Sequence, residues 1–432
     1  MSLPDADDSD DALLDAVQRQ TLRYFWEFAH KPSGLALDRS TPDPGYGPDA
    51  VAVGGSGFGL MAIVAGVERG WIPRAEAVER LRRVLAFLER ADSFHGVLPH
   101  FLDGRTGRAI RFTRKDDAAD LVETAFLMMG LLCCRQYFLG HDAGEIEIRQ
   151  KADRLWREVE WSWHTRDGED LLYWHWSPNN GWAMNFPIRG WNECLIAYVL
   201  AASSPTYPIP PTVYHHGWAG GPHFRNGREF YGIRLPLGPD FGSSLCFSQY
   251  SFMGLDPRGL VDRYADYWEQ NVAHTRINYE HCVRNPNAYE GYGPDCWGLT
   301  ASDDDYGYNQ HAPDVDLGVI SPTAALSAMP YAPDRSMAAL RTFLGRLKRR
   351  LWTQRGLRDA FSEARGWYAP STLAIDQGPI VVMIENHRSG LLWDLFMSCD
   401  EVRAGLARLG FASPRLGARS VANGRAQGRA HG

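Results

Sequence analysis

Apolar residues recur at three- and four-residue steps over most of this chain, the period of a helix buried along one stripe. The stretches that carry the pattern are roughly 10–30, 56–70, 74–92, 117–140, 144–162, 190–203, 243–255, 259–284, 321–329, 334–352, 376–386 and 390–409. Gly70 stands where one stretch stops and Pro73 where the next starts, the punctuation of helix ends. Strand-like alternation is weak, with one short piece near "FYGIRLPL". Helices this numerous must stack their apolar stripes on one another. A solenoid would show a repeated unit, and the sequence has none. Long loops rich in chemical groups suit one end of a closed structure. The expected fold is therefore all-α, an (α/α)6 barrel: a double ring of about twelve helices whose loops form a site at one end. A single domain is expected over 10–410. Residues 411–432, mostly the Gly/Arg-rich "SPRLGARSVANGRAQGRAHG", have little to bury and are expected to form a disordered tail.

Composition narrows the function. A hydrophobic fraction of 44% with 22% charged residues is that of a soluble globular protein. The net charge of -7 gives no basic footprint for nucleic acid. No apolar run is long enough to span a bilayer. The acidic start "MSLPDADDSDDALLDAV" lacks the layout of a signal peptide, so the expected location is cytoplasmic, or periplasmic or secreted if a leader precedes it. Seven cysteines without a CxxC pair argue against a disulfide framework or a zinc site, and Cys133 and Cys134 read as core packing. The chain is rich in aromatics, with 15 Trp, 18 Tyr and 19 Phe. Trp156, Trp161, Trp163, Trp174, Trp176, Trp182 and Trp191 fall in one stretch. Such rings fill a large core, and they also suit a sugar, which offers both apolar faces and polar edges.

The stretch "RKDDAADLVETAFLMMGLL" crowds four acids, Asp116, Asp117, Asp120 and Glu123, at the front of an apolar run. Their i, i+4, i+7 spacing puts Asp116, Asp120 and Glu123 on one face of a helix, with Asp117 pointing elsewhere. Carboxylates on a helix buried nearly all round must face water or a ligand. An N-cap role and the helix dipole account for one or two of the four equally well. DDAAD also fits the DDxxD pattern that holds magnesium in terpene cyclases. The second metal motif such enzymes need is absent, so no metal and no cofactor are expected. "FPIRGWNECLIAYVLAAS" places Glu193 beside Arg189 and Trp191, where partial desolvation would suit a general acid. A first-turn Glu favoured by the dipole is the alternative. "YGPDCWGLTASDDDYGYN" gathers Tyr292, Trp297 and Asp303 in a loop without the offsets of a calcium-binding EF-hand. "STLAIDQGPIVVMIENHRSGLLW" carries Asp376 and Gln377, and Asp376 can equally cap its helix. His387 lacks a companion at metal-ligand spacing.

Together these stretches resemble the bacterial glucoamylase-like proteins, and within them the endo-β-1,2-glucanases of glycoside hydrolase family 144. The pieces that carry the resemblance are "GSGFGLMAIVAGVERGWI", "DDAADLVETAFLMMGLL", "FPIRGWNECLIAYVLAASSPTYPI", "FGSSLCFSQYSFMGLD", "WGLTASD", "ISPTAALSAMPY" and "AIDQGPIVVMIENHRSGLLW". They occur in the family's order between about residues 20 and 400. The resemblance implies an (α/α)6 barrel, hydrolysis of β-1,2-linked glucan with inversion, and no metal. It makes Glu193 the general acid and Asp376 the general base, with Asp116 as the second choice. The implied substrate contacts are Asp120, Glu123, Arg189, Trp191, Tyr292, Trp297, Asp303 and Gln377, the three aromatics as stacking platforms. The segment "SDDDYGYNQHAPDVD" departs from the shorter turn usual in that family. An exo-acting or transglycosylating enzyme, or a glycan-binding protein without turnover, fits the same barrel.

Overall fold

The computed structural model describes residues 4–42 and 45–416. It is built from thirteen α-helices among these residues: α1 (Asp10–Trp26), α2 (Val53–Glu68), α3 (Arg74–Leu88), α4 (Leu121–Tyr137), α5 (Ala143–Glu158), α6 (Leu195–Ser203), α7 (Tyr267–Arg284), α8 (Pro322–Leu326), α9 (Pro333–Leu344), α10 (Lys348–Leu351), α11 (Ala374–Arg388), α12 (Leu391–Met397) and α13 (Asp400–Arg408). No helix among the described residues is long and apolar enough to cross a membrane. Four helices start on a side-chain cap: Ser9 for α1, Asp120 for α4, Asp142 for α5 and Asp266 for α7 each accept from backbone amides of the first turn.

The helical stretches read from periodicity are found, with altered ends. The stretch expected over 117–140 begins only at Leu121, and that expected over 259–284 only at Tyr267. The stretch 243–255 is not a continuous helix. It breaks into two short 3-10 turns, Leu245–Ser248 and Ser251–Met253. Its polar side chains are committed elsewhere. Ser248 Oγ meets His274 Nδ1 at 2.8 Å, Gln249 Nε2 donates to the Ala324 carbonyl at 2.9 Å, and Ser251 Oγ accepts from the Ile196 amide at 3.0 Å. Such bonds compete with the helical ladder. The "FYGIRLPL" piece forms a small hairpin of Glu229–Phe230 with Ile233–Arg234. The first residues of the tail expected from 411 are packed on the domain. Phe411 is buried, Ala412 bridges to Val261, and Arg415 pairs with Asp256 and Asp394. The remainder of that expectation, 417–432, lies outside the described residues.

Two kinds of helix make up the molecule. In α2, α4, α6, α8 and α11 nearly every residue is buried, whereas α1, α3, α5, α9 and α13 bury one face. Among the first group, α2 packs on α4 and α11, α4 on α6, and α8 on α11. The turns over 245–253 join α6 to α8 through the Ser251 and Gln249 bonds just described. Of the second group, α1 lies on α11 and α2, α5 on α4, α9 on α8 and α13 on α6. All seven cysteines are free thiols buried in the interior. The starts of α2, α4, α6 and α11 hold, in turn, Gly54, Asp120 with Glu123, Glu193 just ahead of α6, and Asp376.

The contact between α2 and α4 is backbone on backbone. A Cβ added at Gly57 would lie 2.5 Å from Leu127 Cα and overlap the Phe126 carbonyl, and one at Gly130 would overlap the Gly57 carbonyl. Only glycine permits this approach. It brings the Gly54 amide to 2.8 Å from Glu123 Oε2. Gly57→Ala should therefore cost about 1–3 kcal/mol of unfolding free energy, measured as a lower urea midpoint at unchanged slope. A loss below about 0.5 kcal/mol would show that the two helices part without difficulty.

Candidate active site

Asp120 organises the first cluster. It stands at the end of the short strand Ala119–Asp120, which pairs antiparallel with His175–Trp176, so that Asp120 faces His175. Its Oδ1 accepts from the amides of Val122 and Glu123 at 3.1 and 3.0 Å and from Trp174 Nε1 at 2.7 Å. Its Oδ2 meets His100 Nδ1 at 3.1 Å and lies 3.8 Å from His175 Nε2. The cap of α4 is thus Asp120, not Asp116 or Asp117. Asp116 is not on the helix at all; it sits in the turn before it, with its carboxylate 3.4 Å from His175 Nε2. The shared helical face expected of Asp116, Asp120 and Glu123 is absent, yet the three acids do gather, because the strand pairing and His175 bring Asp116 back. Asp117 points outward to Asn179 and Asn180.

Burial sets the charges here. It pushes Asp116 up to about 7, and the neighbouring Asp120 adds to the effect. It likewise pushes Glu123 up to about 7, against the pull of His100. Burial opposes a charge on Asp120 too, but the bond from His100 and the charges of both histidines hold it below the usual carboxylate range. Burial alone would keep His100 neutral; Glu123, Asp120 and Asp116 outweigh it and raise the ring to about 9. Burial lowers His175. At neutral pH the cluster holds an imidazolium locked to an aspartate, beside two carboxyls near their midpoint.

The second cluster is a chain of carboxyls. Asp376, fully buried in the first turn of α11, accepts from the Tyr250 hydroxyl at 3.2 Å. Its other oxygen has no ordinary donor, and neither has Asp359 Oδ1. The two acids are neighbours: burial and the charge of Asp359 push Asp376 well up, and burial with the charge of Asp303 pushes Asp359 up to about 7. Asp303 steadies the pair. Its amide donates to Asp359 Oδ2 at 2.7 Å, and its carboxylate takes Arg39 at 3.3 Å and the Ser371 hydroxyl. Glu193 is half-buried in the turn before α6, and its carboxyl makes no side-chain hydrogen bond among the described residues. Burial pushes it up. It lies between the clusters. The Cys194 thiol, raised by burial, also feels Glu193, Asp120 and Glu123; the Cys246 thiol, raised the same way, feels Glu193 and Asp376.

Several expected contacts are corrected. Trp191 is 2% exposed, wedged among Trp218, Phe252 and Tyr267, and Trp297 is fully buried with its Nε1 donating to the Arg335 carbonyl at 3.2 Å. Neither has a free face for a sugar; both are core. The Tyr292 hydroxyl is held by Asp316 at 2.8 Å, in a group with His281. Gln377 turns its Oε1 to Gly356 and Thr21, between α11 and α1. Arg189 is exposed beside Gly221 and forms no bond to either cluster. Asp303 supports Asp359 and does not face the opening with a free carboxylate.

The structure adds residues that the sequence did not single out: His100, His175, Asp359, Tyr250 and two exposed rings. Phe112, 39% exposed, stacks on His100 at 4.4 Å, and Phe186, 51% exposed, leans on Trp174 and His175. These rings, not Trp191 and Trp297, line the opening over the first cluster. Nothing local marked His100 or His175, since their partners are distant in sequence.

A measurable consequence follows from His100. Between pH 6.5 and about 9 the folded protein keeps a proton on this ring that the unfolded chain has released, so its stabilisation is lost as pH rises through that window. Asp116 and Glu123 act in the same sense lower down: from 3.8 and 4.5 up to about 7 the fold keeps protons the unfolded chain gives up, and stability again falls with pH. Urea unfolding should show stability declining from pH 6.5 towards 9, and His100→Gln should flatten that decline. A wild-type profile that rises there would contradict the His100 assignment.

Known proteins of this shape carry a family description. Residues 185–400 match the family model described as "Putative glucoamylase". The solved endo-β-1,2-glucanase of Chitinophaga pinensis, in complex with sophorotriose and glucose, is 51% identical with a TM-score of 0.92, covering 94% of this chain and 99% of that one. A Bacteroides uniformis structure, itself described as a glucoamylase of that kind, is 55% identical with a TM-score of 0.92, covering 95% and 99%. An exo β-1,2-glucooligosaccharide sophorohydrolase (non-reducing end) of Parabacteroides distasonis is 44% identical over 422 residues, 93% of this chain and 58% of that protein, so the chain spans little more than half of that relative. With identities of this size over nearly the whole length, the chain belongs to the glucoamylase-like family that includes the Chitinophaga pinensis endo-β-1,2-glucanase.

Proposed function

We propose that this chain is a glycoside hydrolase acting on β-1,2-linked glucan, with Glu193 as general acid and Asp376 as the carboxylate that activates water. The observation that carries the reading is the contrast between these two carboxyls. Glu193 is desolvated and uncommitted, which favours the protonated form an acid catalyst needs. In this reading Asp376 and Asp359, which repel each other's charge, hold one proton between them, so that the pair keeps a negative charge in a buried place. Glycoside cleavage requires one group of each kind. The names of the relatives supply the linkage, and the family resemblance favours inversion. Asp120, fully bonded, positions His100 and His175; Glu123 and Asp116 are left to meet sugar hydroxyls, with Phe112 and Phe186 offering ring faces. For the fold, the same reading takes α2, α4, α6, the 245–253 turns, α8 and α11 as the inner ring of an (α/α)6 barrel, and the helices with one buried face as the outer ring. The run of contacts from α2 round to α11 and back to α2 supports that closure.

The family resemblance implies a chemistry without metal. His100, Asp116 and Asp120 bring ligand atoms within 4.8 Å of one another. The proton that His100 holds up to about 9 already supplies the positive charge there. The enzyme should therefore release sugars from linear β-1,2-glucan in the presence of EDTA, followed by mass spectrometry. A ladder of oligosaccharides marks internal cleavage, and a single disaccharide marks cleavage from an end. Glu193→Gln should lower kcat by about a hundredfold or more while the circular dichroism stays native; full activity in this variant would remove Glu193 from the mechanism. EDTA-sensitive activity would instead point to a cation among His100, Asp116 and Asp120.

A further inference from the structure

The segment that departs from the family, "SDDDYGYN", folds as a tight antiparallel hairpin, Ser302–Asp304 against Gly307–Asn309. Its turn is firmly held. Asn309 donates to the Asp304 carboxylate, the Tyr306 amide bonds Asp304 Oδ1 at 2.7 Å, and Arg365 pairs with Asp305 at 2.6 Å. At the base, Gln310 Nε2 donates to Ser243 Oγ at 2.7 Å. The hairpin is thus a fixed wall and not a loose loop.

Its register decides what it presents. Asp303 is directly opposite Tyr308, so both side chains leave the same face of the ribbon. On that face the Asp303 carboxylate takes Arg39 and Ser371, while from the ribbon edge the Asp303 amide donates to Asp359 Oδ2, next to Asp376. Tyr308 therefore stands on the face that carries the Asp303 carboxylate, at the strand pair that adjoins Asp359. It remains 44% exposed, and its hydroxyl has no hydrogen-bond partner among the described residues, whereas the Tyr250 hydroxyl is taken up by Asp376. Burial raises the phenol, and so do the charges of Asp376, Cys246, Asp359 and Glu193. A phenol held protonated in such a place has one hydrogen to donate and no protein atom to take it.

We infer that Tyr308 is a substrate-positioning residue: its hydroxyl donates to a hydroxyl of the glucosyl unit seated between Glu193 and Asp376, and its ring covers one face of that unit. This rests on the function proposed above. A neutral sugar suits the position, because its hydroxyls accept the hydrogen without bringing further negative charge to a place crowded with carboxyls. The hairpin then closes one side of the cleft, and the outward Tyr306, 84% exposed at the tip, lies beyond it.

The test uses the β-1,2-linked glucose trimer as ligand, titrated by calorimetry into the slow Glu193→Gln protein. Adding Tyr308→Ala should weaken binding at least tenfold. Adding Tyr308→Phe, which keeps the ring and removes only the hydroxyl, should weaken it about threefold. With Glu193 intact, both Tyr308 variants should raise KM by a larger factor than they lower kcat, and neither should move the pH optimum. Binding within twofold of the parent in both variants, in proteins that cleave glucan when Glu193 is present, would overturn the assignment of Tyr308 alone. If the wild type leaves β-1,2-glucan intact and the Glu193→Gln protein does not bind the trimer, the proposed function fails and this inference falls with it.

Discussion

A carboxylate taken out of water must find donors, a cation or a proton, because leaving it unpaired costs several kcal/mol. This chain sets seven carboxyls into the starts of its most buried helices or against them, and they meet the requirement in different ways. Asp120 collects amide donors, an indole N–H and an imidazolium. Asp303 takes Arg39 and a serine. Asp359 and Asp376 are both pushed up by burial and by a neighbouring carboxylate. Asp116, Glu123 and Glu193 respond by holding their protons to higher pH. The helix starts are where such groups are tolerated best, since the first-turn amides and the dipole favour negative charge. The site is a consequence of that placement: one end of the inner helices concentrates titratable oxygen in a setting that spreads its proton affinities apart.

The glycine contact between α2 and α4 fixes part of this arrangement. Side-chain packing normally sets helix separation at 8–10 Å and adjusts with the residues at the contact. Where Gly57 meets Phe126 and Gly130 meets Gly57, the backbones themselves are the stop. The distance from the Gly54 amide to Glu123 is therefore set by covalent geometry and is insensitive to the choice of neighbouring side chains. Tyr250 adds a second brace, its ring against Phe58 of α2 and Phe126 of α4 and its hydroxyl on Asp376 of α11.

Much of the fold was legible because the apolar period of 3.6 is local information. The helices over 10–26, 53–68, 74–88 and 374–388 are where the pattern puts them, to within a few residues. The interruption at 245–253 was not, since the competing bonds run to His274, Ala324 and Ile196. The site was legible in kind and only partly in detail. That Asp116, Asp120 and Glu123 gather followed from the sequence, but for a reason the structure replaces, because strand pairing with His175–Trp176 is a long-range event. Tryptophan count could not separate core from rim: Trp191 and Trp297 pack inward, while the exposed rings over the acids are Phe112 and Phe186. Asp359, with no motif around it, is visible only as the partner of Asp376.

Asp120 and Glu193 differ in how much of the structure hangs on them. Asp120 caps α4, holds an indole and fixes a histidine, whereas the Glu193 side chain supports nothing else among the described residues. A lineage drifting away from catalysis would meet these two positions unequally. Loss of Asp120 disturbs the start of a core helix and is visible to selection on folding alone. Loss of Glu193 leaves the scaffold and the exposed rings Phe112 and Phe186 in place. If Glu193 is the general acid proposed above, the fold outlives its chemistry by a single substitution, and a descendant that only binds its substrate lies one step away from one that cuts it.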